Sequence, residues 1–136
     1  MTETLTIPRT LANRLLTLAQ HEPDAEVCGL ISSNTDNQYR VYPIDNIADD
    51  TQCVFEMEPQ QQIHAFKKMR ESQESIFAIY HSHPHSEAIP SKKDISDAAY
   101  TDALNIIISL NTKGVLDMRG YFYRGGEVEG VDLVID

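Results

Sequence analysis

An α/β fold, with a mixed β-sheet flanked by helices in a single domain over residues 1–136, is predicted by three features of the sequence. Helix-periodic and strand-like segments alternate along the chain. One internal run, Leu104 to Leu110 (LNIIISL), is apolar enough to be a strand buried on both faces. The last part of the chain reads as a closing β-hairpin. At this length the chain buries roughly two-thirds of its unfolded surface, enough for one proper core.

The elements follow in order. Pro8 marks a helix start, and Leu11, Ala12, Leu15, Leu18 and Ala19 recur at helical spacing until Pro23, predicting a helix over 8–20. Val27 to Ser33 and Tyr39 to Ile44 are short β-prone runs around the polar cluster SNTDNQ, a hairpin signal. Asp45 to Asp50 reads as a loop, followed by a short strand-like CVFEM. Pro59 opens a second helix with Ile63, Phe66 and Met69 as its apolar side, Glu56 and Glu58 ahead of it, and Lys67, Lys68 and Arg70 in its last turn. Ile76 to Tyr80 has strand length and runs into HSHPHSEAIPSKKD, which Pro84 and Pro90 make a loop. A third helix is expected from about Ser91 to Asp102. Met118 to Arg124 and Val128 to Ile135 flank Gly125-Gly126 as the final hairpin.

Charge and cysteine usage exclude several function classes. The chain carries 11 basic and 21 acidic side chains, a formal net charge of −10. The excess is even: residues 1–68 hold 5 basic and 10 acidic groups, residues 69–136 hold 6 and 11. Such a surface repels a phosphate backbone and anionic lipid, so neither nucleic acid nor a membrane is an expected partner. Cys28 and Cys53 form no disulfide framework, and no export leader or membrane-length apolar run is visible. A cytoplasmic location is expected, and formation of a homo-oligomer is left open.

Residues 81–94 concentrate metal-competent chemistry, with three histidines, two prolines and an aspartate. Alternate residues of an extended chain face one way, so His81 and His83 aim both imidazoles at one point. Asp94 is the natural third ligand for zinc, whose catalytic sites keep three protein ligands and one position for water. The plainer readings are an exposed histidine pair and a capping box in which Ser91 and Asp94 satisfy a helix start; the cap and the ligand roles are compatible. His85 lies beyond Pro84 and reads as exposed or outside the ligand set. His64 and His21 read as ordinary helix residues, and Lys92 and Lys93 as solvent-exposed. A catalytic site also needs a carboxylate that is not a ligand, and spacing alone does not choose it among the 21 acids.

Glu26 in EVCGL, His81-Ser82-His83-Pro84 and Pro90-Ser91-x-x-Asp94 together resemble the signature of the JAMM (MPN-plus) metalloproteases, E…HxHP(x6)SxxD, with each fixed position filled. The resemblance runs along the whole chain and is greatest to the small, stand-alone bacterial members. It implies a cytidine-deaminase-like MPN/JAMM fold. It implies that one zinc is bound by His81, His83 and Asp94, that Glu26 is the general base, and that Ser91 hydrogen-bonds the developing oxyanion. The implied substrate is a small ubiquitin-like or sulfur-carrier protein with a Gly-Gly C-terminus, from which a residue, extension or conjugate is removed. Cys28 faces the same side as Glu26 by alternation and is expected to serve packing. The alternative function is a non-catalytic interaction scaffold of the same fold. Scaffold relatives typically lose motif residues, and this chain keeps them. A DNA-repair relative predicts a basic face, and a nucleoside deaminase needs a CxxC; the sequence has neither.

Overall fold

The fold is described from a computed structural model over residues 3–96, 103–111 and 117–136. Its elements are β1 (Glu3–Ile7), α1 (Arg9–His21), β2 (Cys28–Ser33), β3 (Tyr39–Ile44), α2 (Pro59–Glu71), β4 (Ser75–His83), α3 (Lys92–Ser96), β5 (Leu104–Ser109), β6 (Asp117–Arg124) and β7 (Glu127–Ile135). The strands form one sheet in the order β1-β7-β6-β5-β4-β2-β3. β1 with β7 and β4 with β5 are parallel, and the other neighbours are antiparallel. The predicted mixed sheet with flanking helices is therefore the architecture observed.

Each face of the sheet builds a core. On one side α1 lays Leu11, Ala12, Leu15 and Ala19 over Ile31, Ala78, Tyr80, Leu104, Ile106, Ile108 and Phe122. On the other, Ala65 and Met69 of α2 cover Leu30, Ile44 and Ile79. β5 is buried along its whole length, as a central parallel strand should be. Gly29 on β2 is required by packing, because a Cβ there would lie 2.5 Å from both the Tyr42 carbonyl and the Tyr80 hydroxyl. Gly125 and Gly126 take φ of 59° and 78°, the left-handed pair that a tight hairpin turn demands. No helix among the described residues is long and apolar enough to cross a membrane.

Several elements differ from the sequence reading. β1 was not anticipated; it is short, and its partner β7 lies at the far end of the chain. CVFEM forms no strand, only an isolated bridge between Asn46 and Met57. Ile63 is 62% exposed, since the buried stripe of α2 runs through Ala65 and Met69. Glu58 does cap α2, accepting hydrogen bonds from the N–H groups of Gln60 and Gln61 at 3.1 and 2.7 Å. The third helix is seen from Lys92 to Ser96, and its expected continuation to 102 lies outside the described residues.

Candidate metal centre

The centre sits where β4 ends. His81 and His83 occupy alternate positions of that strand, and both are buried, as is Glu26. Their burial follows from topology, because β4 is flanked by β2 and β5 and covered by the loops that follow β3 and β4. His81 Nε2, His83 Nε2 and Asp94 Oδ2 lie 3.2 Å from one another in each pair. Ligand atoms of Glu26 fall within 4.8 Å of this set.

The loop from 84 to 90 folds back because its backbone is tied at several points. His83 Nδ1 donates to the Glu87 carbonyl at 2.7 Å, Ser109 Oγ to the Ser86 carbonyl at 2.7 Å and the Tyr121 hydroxyl to the Ala88 carbonyl at 2.6 Å. Ser91 then opens α3. Its Oγ accepts from the Asp94 N–H at 3.0 Å, and Asp94 Oδ2 accepts from the Ser91 N–H at 2.9 Å. This is a reciprocal capping box, and the same Oδ2 faces the two imidazoles. The cap and the convergence on the histidines occur together.

Glu26 comes from a segment 55 residues earlier, just before β2, and backbone contacts hold it. Its N–H donates to the Thr51 carbonyl at 2.6 Å, and Asn46 Nδ2 donates to its carbonyl at 3.0 Å. Ser82, between the two histidines, accepts from the Val27 N–H through Oγ at 2.9 Å and donates its own N–H to the Val27 carbonyl at 3.0 Å. The strand that presents the imidazoles therefore also fixes the position of the carboxylate.

The donor set fits a cation. A tetrahedral ion with bonds of about 2.0–2.1 Å holds its ligands roughly 3.3 Å apart, close to the 3.2 Å separations. The Glu87 carbonyl takes the Nδ1 proton of His83, which directs the Nε2 lone pair inward. Without a cation, several acceptor atoms converge with few protons to share. Glu26 Oε1 is in addition buried without a hydrogen-bond partner, an expensive arrangement for an inert cluster.

Electrostatics separate the carboxylates. Burial pushes Glu26 up to about 8; the nearby His83 lowers it, whereas Asp94 and Asp50 raise it further. Burial also opposes charge on Asp94, but hydrogen bonds from His81 and His83 outweigh it and hold that carboxyl far below its ordinary range. Burial lowers His81. The same penalty acts on His83, but the Asp94 and Glu87 hydrogen bonds more than offset it and leave that group raised. One carboxyl is thus kept charged and the other is tuned toward neutral pH, a division common where acid–base chemistry is performed.

The other candidates do not join the ligand cluster. Cys28 is buried with its thiol directed to the Ile44 carbonyl at 3.4 Å, and burial pushes it up to about 12, so it packs as expected. Cys53 is exposed. His85 is 60% exposed on its side chain and lies 3.8 Å from Asp24. His64 is exposed on α2 and His21 ends α1. Lys92 and Lys93 are both exposed, as expected, and Lys93 also lines the cleft beside the cluster. Sequence reasoning missed Phe55, whose ring stacks on His81 with centroids 4.4 Å apart at 27°. An aromatic residue in an unstructured loop carries no periodic signal, and only the fold brings it to the imidazole. The cleft itself, about 780 Å³, runs from the cluster between the 48–59 segment and α3 over Ile79, Asn105 and Tyr123.

Comparison with known proteins finds relatives over nearly the whole chain. Residues 8–120 match the family model described as prokaryotic homologs of the JAB domain. Among curated proteins, the desampylase of Haloferax volcanii is 23% identical over 120 residues, covering 87% of this chain and 84% of its own. The CysO-cysteine peptidase of Mycobacterium tuberculosis is 28% identical over 134 residues, covering 96% and 91%. Among solved structures, protein DSY2949 of Desulfitobacterium hafniense superposes with a TM-score of 0.84 at 26% identity, over 96% of this chain and 92% of that one. A structure described as a JAMM metalloprotease-like zinc site shares the fold, with a TM-score of 0.57 at 19% identity over 99% of each chain.

Proposed function

The chain belongs to the family of prokaryotic homologs of the JAB domain, the JAMM-type peptidases, and on that footing we propose that it hydrolyses the amide bond after the C-terminal Gly-Gly of a small ubiquitin-like or sulfur-carrier protein. The product is the free carrier and the released residue, extension or conjugate. The observation that carries this reading is the open cluster. Three ligand atoms lie 3.2 Å apart, with a fourth, raised carboxyl beside them that is not needed to hold the ion. The desampylase and the CysO-cysteine peptidase support the substrate class, each by its own name.

In this reading His81, His83 and Asp94 hold one zinc. When bound, zinc would polarise the scissile carbonyl and acidify the attacking water. Glu26 accepts the proton of that water and passes it to the leaving amine. Its position suits it to both steps, since its backbone is tied to Thr51 and Asn46 and its carboxyl lies within 4.8 Å of the three ligand atoms. Ser91 accepts from the Asp94 N–H through Oγ and keeps its own proton to donate to the developing oxyanion. Phe55 shields one face of His81, which limits how far the imidazole can tilt.

The test is the intact mass of a panel of ubiquitin-like sulfur-carrier proteins bearing extensions after Gly-Gly, incubated with zinc-loaded protein. Loss of the extension with the native chain and not with Glu26→Ala is the expected result. Unchanged masses across the panel, with zinc still bound, would overturn the substrate assignment.

A further inference from the structure

Among the described residues, the buried side-chain polar atoms without a hydrogen-bond partner are Glu26 Oε1, His81 Nδ1 and the Tyr123 hydroxyl. Two of these belong to the metal centre. The third belongs to a residue that lines the same cleft and has no role in the chemistry above. Tyr123 lies on β6 and is 4% exposed. Tyr121, two residues earlier on that strand, also has a half-buried hydroxyl, and its proton is satisfied by the Ala88 carbonyl at 2.6 Å. No such partner is built for Tyr123. A buried hydroxyl costs stability when left unpaired, and phenylalanine would fill the same space without that cost.

Asn105, on the neighbouring β5, is a second polar residue in the cleft floor. It interrupts an otherwise apolar run, is 6% exposed, and lies in register with Ile79 of β4 and Tyr121 of β6. Its amide donates only a long 3.3 Å bond to the Ala103 carbonyl. The cleft therefore leads away from His81 over an apolar floor that carries two fixed polar groups.

We infer that Tyr123, assisted by Asn105, is a positioning residue that hydrogen-bonds the peptide backbone of the substrate's C-terminal tail in this cleft. The inference rests on the proposed function, and its chemistry follows from the tail itself. A Gly-Gly segment has no side chains, so a site that selects it must read peptide N–H and C=O groups with polar atoms at fixed places. A hydroxyl kept unpaired in the free protein supplies that contact without first giving up another partner.

The experiment compares native protein, Tyr123→Phe and Tyr121→Phe in their zinc-loaded forms. Fluorescence anisotropy measures binding of a fluorescein-labelled peptide ending in Gly-Gly, and steady-state kinetics follow release of an extension from a Gly-Gly carrier protein. For Tyr123→Phe the peptide Kd and the KM are expected to rise about tenfold, as for loss of one buried hydrogen bond. The same variant should keep kcat within about twofold, bind one equivalent of zinc and melt at or above the native temperature. Tyr121→Phe should melt lower, because it breaks an existing bond. Unchanged Kd and KM in Tyr123→Phe would overturn the inference and leave the proposed function standing. A lower melting temperature or weaker zinc binding with KM unchanged would overturn it in favour of a structural role. If the native protein neither binds the peptide nor releases the extension, the proposed function fails, and the inference with it.

Discussion

In the proposed mechanism Glu26 carries the proton transfer, and its environment sets what substitution there should do. Glu26→Gln keeps the shape and the backbone ties to Thr51 and Asn46 but removes the base, so turnover should fall on the order of 10²- to 10⁴-fold with zinc content unchanged. The same variant isolates a pH effect in the metal-free protein. The folded chain holds the Glu26 proton up to about 8, whereas an ordinary glutamate releases it near 4.5. Between those values the folded state binds the extra proton, so this group's contribution to stability falls as pH rises. Melting curves should show native protein losing stability relative to Glu26→Gln across that window, with the gap constant above it. Ser91 caps α3 and, in the proposed mechanism, also donates to the oxyanion, so two substitutions bear on its hydroxyl. Ser91→Ala loses the cap, about 1 kcal/mol, and should lower both melting temperature and turnover; Ser91→Thr keeps a capping hydroxyl and should recover most of the stability. The histidines, Ser91 and Asp94 were legible because a strand's alternation and a helix's first turn are short-range rules. Glu26 was not legible from spacing, since it reaches the histidines only through the pairing of β2 with β4, which joins segments some 55 residues apart, and only the resemblance singled it out.

At the scale of elements, β2 matters most to the site, because it carries the Glu26 segment into register with β4 through Cys28 opposite His81. Gly29 lets that pairing close, and a Cβ there would meet both a backbone carbonyl and the Tyr80 ring. Gly29→Ala should therefore destabilise the protein by at least about 1–3 kcal/mol, measured by denaturant unfolding. If its stability equals that of the native chain, the tight β2–β3–β4 packing is wrong. The hairpins, α1, α2 and the buried β5 could be read from period and punctuation. β1 could not, since Glu3–Ile7 is short and acquires meaning only when Ile7 enters the core and pairs with Ile135. CVFEM shows the opposite failure: its β-prone residues line the cleft instead of a ladder, and Phe55 stacks on His81. Ile63 was misplaced on α2 because a helix with few large apolar residues leaves the direction of its buried stripe to the sheet beneath it.

For the whole molecule, the sheet gathers Glu26 and the 81–94 segment at one end of a central strand and leaves a cleft leading to them. The net charge of −10 is shared by the cleft, which Asp49, Asp50 and Glu56 line together with Lys93. The central claim is that a single zinc held by His81, His83 and Asp94 supports amide hydrolysis. Its most direct test is to strip the protein with a chelator, titrate zinc back and follow release of an extension from a Gly-Gly carrier protein. Activity should be absent without metal, rise linearly to a break at one equivalent per chain and stay level beyond it, with no such rise in His83→Ala. Full activity in the stripped protein, or a break that survives in His83→Ala, would contradict the account.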